Sequence, residues 1–205
     1  MSVEPSSPAS VSADVKATRI RLLLFDVDGV LTDGTVIVHA DGTESKQFGI
    51  RDGIAMVWAQ RAGLTAGFLS ARTSATTPHR AAQLGITLVH QGVTSKLATY
   101  EHICADLGVS DAEVAFMGDD IVDLAVLRRA GLSAAPADAV PEVRAAVDWV
   151  SRSHGGRGAV RELVELILRA QGLWDAVVAG YLNERSSDRP AGAGRPPGGG
   201  TRSEP

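Results

Sequence analysis

Two aspartates one residue apart, Asp26 and Asp28, close the apolar run Leu22-Leu23-Leu24-Phe25. On an extended chain side chains repeat every two residues, so both carboxylates project to the same side. Like charges that close repel unless a cation or a shared proton intervenes. The pair therefore points to a hard cation such as Mg²⁺, which takes oxygen ligands. An acidic turn after a strand, with Gly29 as its turn residue, is the plainer alternative for the pair taken alone. Three further segments share the design. Ser70 ends the run Thr65-Ala66-Gly67-Phe68-Leu69, Lys96 opens a helical stretch, and Gly118-Asp119-Asp120-Ile121-Val122-Asp123 follows Val114-Ala115-Phe116-Met117. Taken singly, Ser70 and the Asp119-Asp120 pair read equally as helix caps and Lys96 as a solvated residue.

The elements that would position these residues alternate. Short apolar runs at 22–25, 65–69, 86–89, 114–117, 132–135 and 148–150 read as strands. Between and after them, helical patterns run over about 53–62, 75–84, 95–107, 121–130, 139–146 and 158–171, most of them stopped by Gly63, Gly85, Gly108, Gly131 or Gly172. Strands alternating with helices predict right-handed crossovers and a parallel sheet covered on both faces, a doubly wound α/β fold. Open α/β sheets bind ligands at the carboxyl ends of their strands, which is where Asp26, Asp28, Ser70 and Asp119 fall. Asp41-Gly42, between the extended segments 35–39 and 44–50, predicts a β-hairpin.

Asp26-x-Asp28-x-x-x-Thr32, then Ser70, Lys96 and Gly118-Asp119-Asp120-x-x-Asp123, resembles the haloacid dehalogenase superfamily of phosphohydrolases. With Arg51-Asp52-Gly53 and Gly156-Arg157-Gly158-Ala159-Val160-Arg161-Glu162 added, the chain is similar over residues 19–175 to the 3-deoxy-D-manno-octulosonate 8-phosphate (KDO 8-phosphate) phosphatase family. The resemblance implies a Rossmann-like fold without a cap domain, and indeed no cap fits between Gly34 and Arg51. It implies Asp26 as nucleophile, forming an aspartyl-phosphate, and Asp28 as the acid and base. Ser70 and Lys96 would hold the phosphoryl group, and Mg²⁺ would bind Asp26, the Asp28 carbonyl oxygen and Asp119, with Asp120 and Asp123 in support. For the sugar acid, Thr32, Arg51, Arg72 and Arg161 are the expected contacts, Arg72 foremost because it follows the motif serine. The resemblance also implies that the hairpin builds a homotetramer in which a neighbour closes the uncapped site.

Composition excludes several other classes. A net charge of −4 with no basic stripe argues against nucleic acid. Cys104 is the only cysteine, which excludes an intrachain disulfide and a cysteine-based zinc site. No apolar run approaches the ~20 residues of a membrane span, and residues 1–17 lack the charged start and apolar centre of a secretory signal. A cytoplasmic setting is expected. Residues 1–17 read as a disordered leader, 18–176 as the phosphatase domain and 177–205 as a disordered tail. Three alternatives remain open at this level: a phosphatase of nine-carbon keto sugar acid 9-phosphates, a phosphoacceptor without catalytic activity, and a silent partner subunit.

Overall fold

The computed structural model describes residues 11–182. Six parallel strands form the sheet in the order β5-β4-β1-β6-β7-β8. They are β1 (Leu22–Phe25), β4 (Thr65–Leu69), β5 (Leu88–His90), β6 (Val114–Met117), β7 (Leu132–Ala135) and β8 (Trp149–Val150). β1 lies between β4 and β6, with Phe25 opposite both Phe68 and Met117. Its four residues are wholly buried because both faces are covered. Leu23 and Phe25 point to one core and Leu22 and Leu24 to the other, as the twofold repeat of a strand requires.

On the first face lie α2 (Ile50–Arg61), α3 (Thr76–Gln83) and α7 (Ala159–Ala170). α7 buries Val160, Leu163, Val164, Ile167 and Leu168, an unbroken stripe at helical spacing that packs along α2. On the second face lie α4 (Lys96–Leu107), the single turn α5 (Leu124–Leu127) and α6 (Pro141–Arg144). α4 starts where the Ser95 hydroxyl accepts the Ala98 N–H, and it ends at Gly108 in the left-handed conformation. Cys104 is buried in this second core. The hairpin is present, reduced to β2 (Ile37–Val38) and β3 (Glu44–Ser45), with Gly42 at positive φ in its turn. The helix expected over 121–130 is a 3-10 turn, Ile121–Asp123, followed by the short α5. Among the described residues no helix is long and apolar enough to cross a membrane.

Two expectations are corrected at the ends. The leader expected to be disordered contains α1 (Ala13–Ala17), which packs on α7. Ala17 is fully buried, and the Gln171 side-chain amide donates to the Ala17 and Ile20 carbonyls. A five-residue helix has no autonomous stability, so these tertiary contacts hold it. The expected disordered tail likewise contains most of α8 (Trp174–Leu182). Trp58 on α2 meets Trp174 and Tyr181 edge to face, and its indole N–H donates to the Tyr181 hydroxyl at 3.0 Å. The remainder of both expectations, residues 1–10 and 183–205, lies outside the described residues.

Candidate active site

The chain leaves β1 toward β4 on one side and β6 toward β7 on the other. The carboxyl ends of β1 and β6 therefore flank the crevice where such sheets place ligands. Asp26 directly follows β1, and Gly118-Asp119 follows β6. Lys96, the first residue of α4, reaches the crevice from the second face. Its Nζ lies 2.8 Å from Asp26 Oδ2 and 2.6 Å from Asp123 Oδ1. The other Asp123 oxygen accepts the backbone N–H groups of Asp119 and Asp120, at 3.0 and 3.3 Å. One buried carboxylate thus aims the lysine and shapes the Asp119 loop together. Gly118 and Gly29 are small for the same reason. A Cβ at Gly29 would stand 2.0 Å from an Asp119 oxygen, and one at Gly118 would collide with the Asp123 side chain.

Asp26, Asp119 and Asp123 offer carboxylate oxygens all within 4.8 Å of one another. Burial, then repulsion from Asp123, pushes Asp26 up to about 7 despite Lys96. Burial and the neighbouring Asp26, Asp123 and Asp120 push Asp119 up to about 8. Burial works against the Lys96 charge, but Asp26 and Asp123 outweigh it and raise its pKa. Asp119 Oδ1 is buried with no hydrogen-bond partner among the described residues. An orphaned carboxylate oxygen in a set of crowded acids fits a hard divalent cation. Asp119 brings the unpartnered oxygen to it, and Asp26 stands beside it with Oδ2 on Lys96 and Oδ1 accepting the Val27 N–H. Asp123 is already engaged by Lys96 and two amides. Asp120 is exposed and caps the 3-10 turn through the Ile121 N–H.

The Asp28 carboxylate is not one of that group of three. It meets Lys46 Nζ at 2.7 Å and Arg72 Nε at 3.4 Å. Arg72 also pairs with Glu44 of the hairpin at 3.1 Å. Ser70 is buried, and its hydroxyl accepts the Arg72 N–H at 3.2 Å. Lys46 was not among the expected site residues. A lysine in a hairpin strand gives no sign in the sequence that it folds back on an acid eighteen residues earlier.

Two expected substrate contacts have other occupations. Thr32 is fully buried; its hydroxyl accepts the Gly29 and Gly34 N–H groups and donates to the Val27 carbonyl. It braces the acidic loop from inside and presents no group to a ligand. Arg161 lies over the Trp58 ring at 4.8 Å and pairs with Glu165 at 2.7 Å, within the α2–α7 packing. Arg51 is exposed on the first turn of α2. The glycines before α7 allow a close approach of two loops. A Cβ at Gly155 or Gly156 would strike the backbone of Gly29 or Thr32, so this loop packs directly on the acidic loop. The Gly156 N–H donates to the Val30 carbonyl at 2.9 Å.

Comparison with known proteins agrees with this geometry. A family model described as haloacid dehalogenase-like hydrolase matches residues 69–163. The 3-deoxy-D-manno-octulosonate 8-phosphate phosphatase of Escherichia coli (strain K12) is 42% identical over 167 residues, 80% of this chain and 89% of that one. The crystal structure of the corresponding phosphatase from Moraxella catarrhalis, in complex with magnesium, phosphate and KDO, is 37% identical with a TM-score of 0.81, and the match covers 82% of this chain and 97% of that one. The cobalt-bound phosphatase from Haemophilus influenzae is 38% identical with a TM-score of 0.79, over 82% of this chain and 99% of that one. Family-level similarity over nearly the whole length of these relatives, joined to the Asp26–Lys96–Asp119–Asp123 arrangement, leads to one assignment: the chain belongs to the KDO 8-phosphate phosphatase family of haloacid dehalogenase-like hydrolases.

Proposed function

We propose that the chain is a magnesium-dependent phosphatase that hydrolyses 3-deoxy-D-manno-octulosonate 8-phosphate to the free sugar acid and phosphate, in the synthesis of lipopolysaccharide. The observation that carries this is the ion pair of Asp26 with Lys96 at the end of β1, beside the unpartnered Asp119 oxygen. Asp26 is the nucleophile and becomes the aspartyl-phosphate. Lys96, aimed by Asp123, neutralises charge on the phosphoryl oxygens, and the Ser70 hydroxyl donates to one of them. Asp28 gives a proton to the departing sugar oxygen and then takes one from the water that hydrolyses the intermediate. Magnesium, held by Asp26, Asp119 and the Asp28 carbonyl, supplies further charge neutralisation when bound.

Arg72, beside Asp28, and Arg51, exposed at the start of α2, are the cations left for the sugar acid, whose carboxylate suits a guanidinium. The exposed Ile37, Val38 and Ile50 around the hairpin support a homotetramer in which this apolar surface is covered. The compartment is the cytoplasm.

The test is phosphate release from KDO 8-phosphate, a nine-carbon 9-phosphate and simple sugar phosphates, each with Mg²⁺ or EDTA, beside Asp26→Asn. Magnesium-dependent release that prefers KDO 8-phosphate and disappears in Asp26→Asn is the expected result. Preference for the nine-carbon ester would keep the mechanism and move the substrate. No release from any ester by folded protein would overturn the reading.

A further inference from the structure

The catalytic scheme leaves one buried cation unused. The Lys46 side chain is 1% exposed, and its Nζ lies 2.7 Å from Asp28 Oδ1 and 2.9 Å from Oδ2. Arg72 Nε approaches the same carboxylate at 3.4 Å, Arg72 pairs with Glu44, and Glu44 stands 4.0 Å from Lys46. Two cations and two carboxylates therefore close a ring between the hairpin base and the acidic loop. Asp26 and Asp28, neighbours on one strand end, are held by different lysines: Lys96 from α4 and Lys46 from the hairpin. A short carboxylate side chain beside a metal site has a second place to go, toward the cation. The ring denies it that choice.

We propose that Lys46 is a positioning residue for the proton transfer made by Asp28, fixing its carboxyl group toward the leaving oxygen and away from the metal-binding acids. This rests on the reading of Asp28 as the proton donor. In the first step the Asp26 oxygen forms a bond to phosphorus as the bond from phosphorus to the sugar oxygen breaks. The proton moves from one Asp28 oxygen to that leaving oxygen, while the other Asp28 oxygen keeps accepting from Lys46. Lys46 itself gives up no proton. The hairpin thereby becomes part of the catalytic apparatus.

The test compares kcat/KM of wild type, Lys46→Ala and Lys46→Arg on three esters. This ratio reports the steps through phosphoryl transfer to Asp26. KDO 8-phosphate and glycerol 2-phosphate have alkyl leaving groups that need a proton; p-nitrophenyl phosphate does not. Lys46→Ala is expected to lose about 10- to 100-fold on both alkyl esters, a part of what a general acid supplies, and less than about threefold on the aryl ester. Lys46→Arg is expected to recover part of the loss, as is n-propylamine added to Lys46→Ala. Equal losses on all three esters would overturn the proposal in favour of a phosphoryl contact. Loss on KDO 8-phosphate alone would overturn it in favour of a sugar contact, and no loss would overturn it outright. If Lys46→Ala fails to fold, the Lys46→Arg profile decides by the same ratios. Should wild type not hydrolyse KDO 8-phosphate, the substrate reading fails, while the glycerol and aryl esters still test Lys46.

Discussion

The buried carboxylate of Asp52 accepts the backbone N–H of Arg161 at 2.9 Å, so a residue of α2 caps a helix that starts over a hundred positions later in the chain. Its other oxygen accepts the Gly158 N–H at 3.0 Å. Burial raises the Asp52 pKa and these N–H donors oppose the rise. The contact joins the Arg51-Asp52-Gly53 and Gly156-Arg157-Gly158 segments and locks the glycine loop onto the acidic loop. Asp52→Ala leaves two N–H groups without partners and should lower the unfolding free energy by about 1–3 kcal/mol. Asp52→Asn, which keeps one acceptor, should lose about half as much. Urea denaturation of both variants measures this.

Asp123 and Lys96 act as a unit, since one carboxylate holds both the lysine and the amides of Asp119 and Asp120. Asp123→Ala and Lys96→Ala should each lower kcat by about 10²–10³-fold, the scale of one lost electrostatic contact to the transition state. The double variant should fall little further, because coupled residues are not additive. Steady-state rates for the cycle provide the check, and additive losses would show that the two act separately.

Crowded acids tie the metal site to pH. Asp26 and Asp119 stand near 7 and 8 in the fold against an ordinary 3.8. A raised pKa favours the protonated group in the fold. The stability these two contribute is therefore full below pH about 4 and is lost as pH rises through about 7 and 8. Metal-free protein should melt lower at pH about 9 than at about 6. Mg²⁺ displaces the protons, so its affinity should climb up to pH about 8, by at most about tenfold per unit for each proton released. Calorimetric titration in buffers of different ionisation enthalpy counts those protons, and a pH-independent affinity would contradict the assignment of the site.

Ile37 and Val38 are 58% and 72% exposed on the hairpin. The proposed tetramer predicts that Val38→Glu lowers the mass in solution toward that of a monomer, read by light scattering after size exclusion. Lys46 lies on the same hairpin, so activity on alkyl esters should fall with the mass. A monomer with full activity would separate the hairpin's two roles.

Much of the fold was legible because apolar strand runs end in punctuating residues. β1, β4, β6 and β7 occur at the expected positions, and Ser95 and Gly108 bound α4 as anticipated. The acids and Lys96 stood out only through the ordered motifs the chain shares with the family it resembles; taken singly, Lys96 read as a solvated residue. What stayed hidden depends on side chains crossing between segments. Thr32 reads as a motif residue but spends its hydroxyl on its own loop. Arg161 reads as a free cation but is spoken for by Trp58 and Glu165. Lys46 carries no sequence signal of its contact with Asp28, and α1 and α8 are too short or too irregular to announce themselves without the α7 and Trp58 surfaces they cover.

The central place of β1 also bears on how the chain is made. It leaves the ribosome ahead of its partners, yet it needs β4 on one side and β6 on the other. Translation adds roughly 5–20 residues per second, so Leu22–Phe25 waits roughly 5–20 s for Val114–Met117. During that time a fully apolar strand lies unpaired on one edge, a target for chaperones and for pairing with other nascent chains. Slowing translation between β4 and β6 should lengthen that exposure and lower the yield of soluble protein, whereas slowing it after β7 should not.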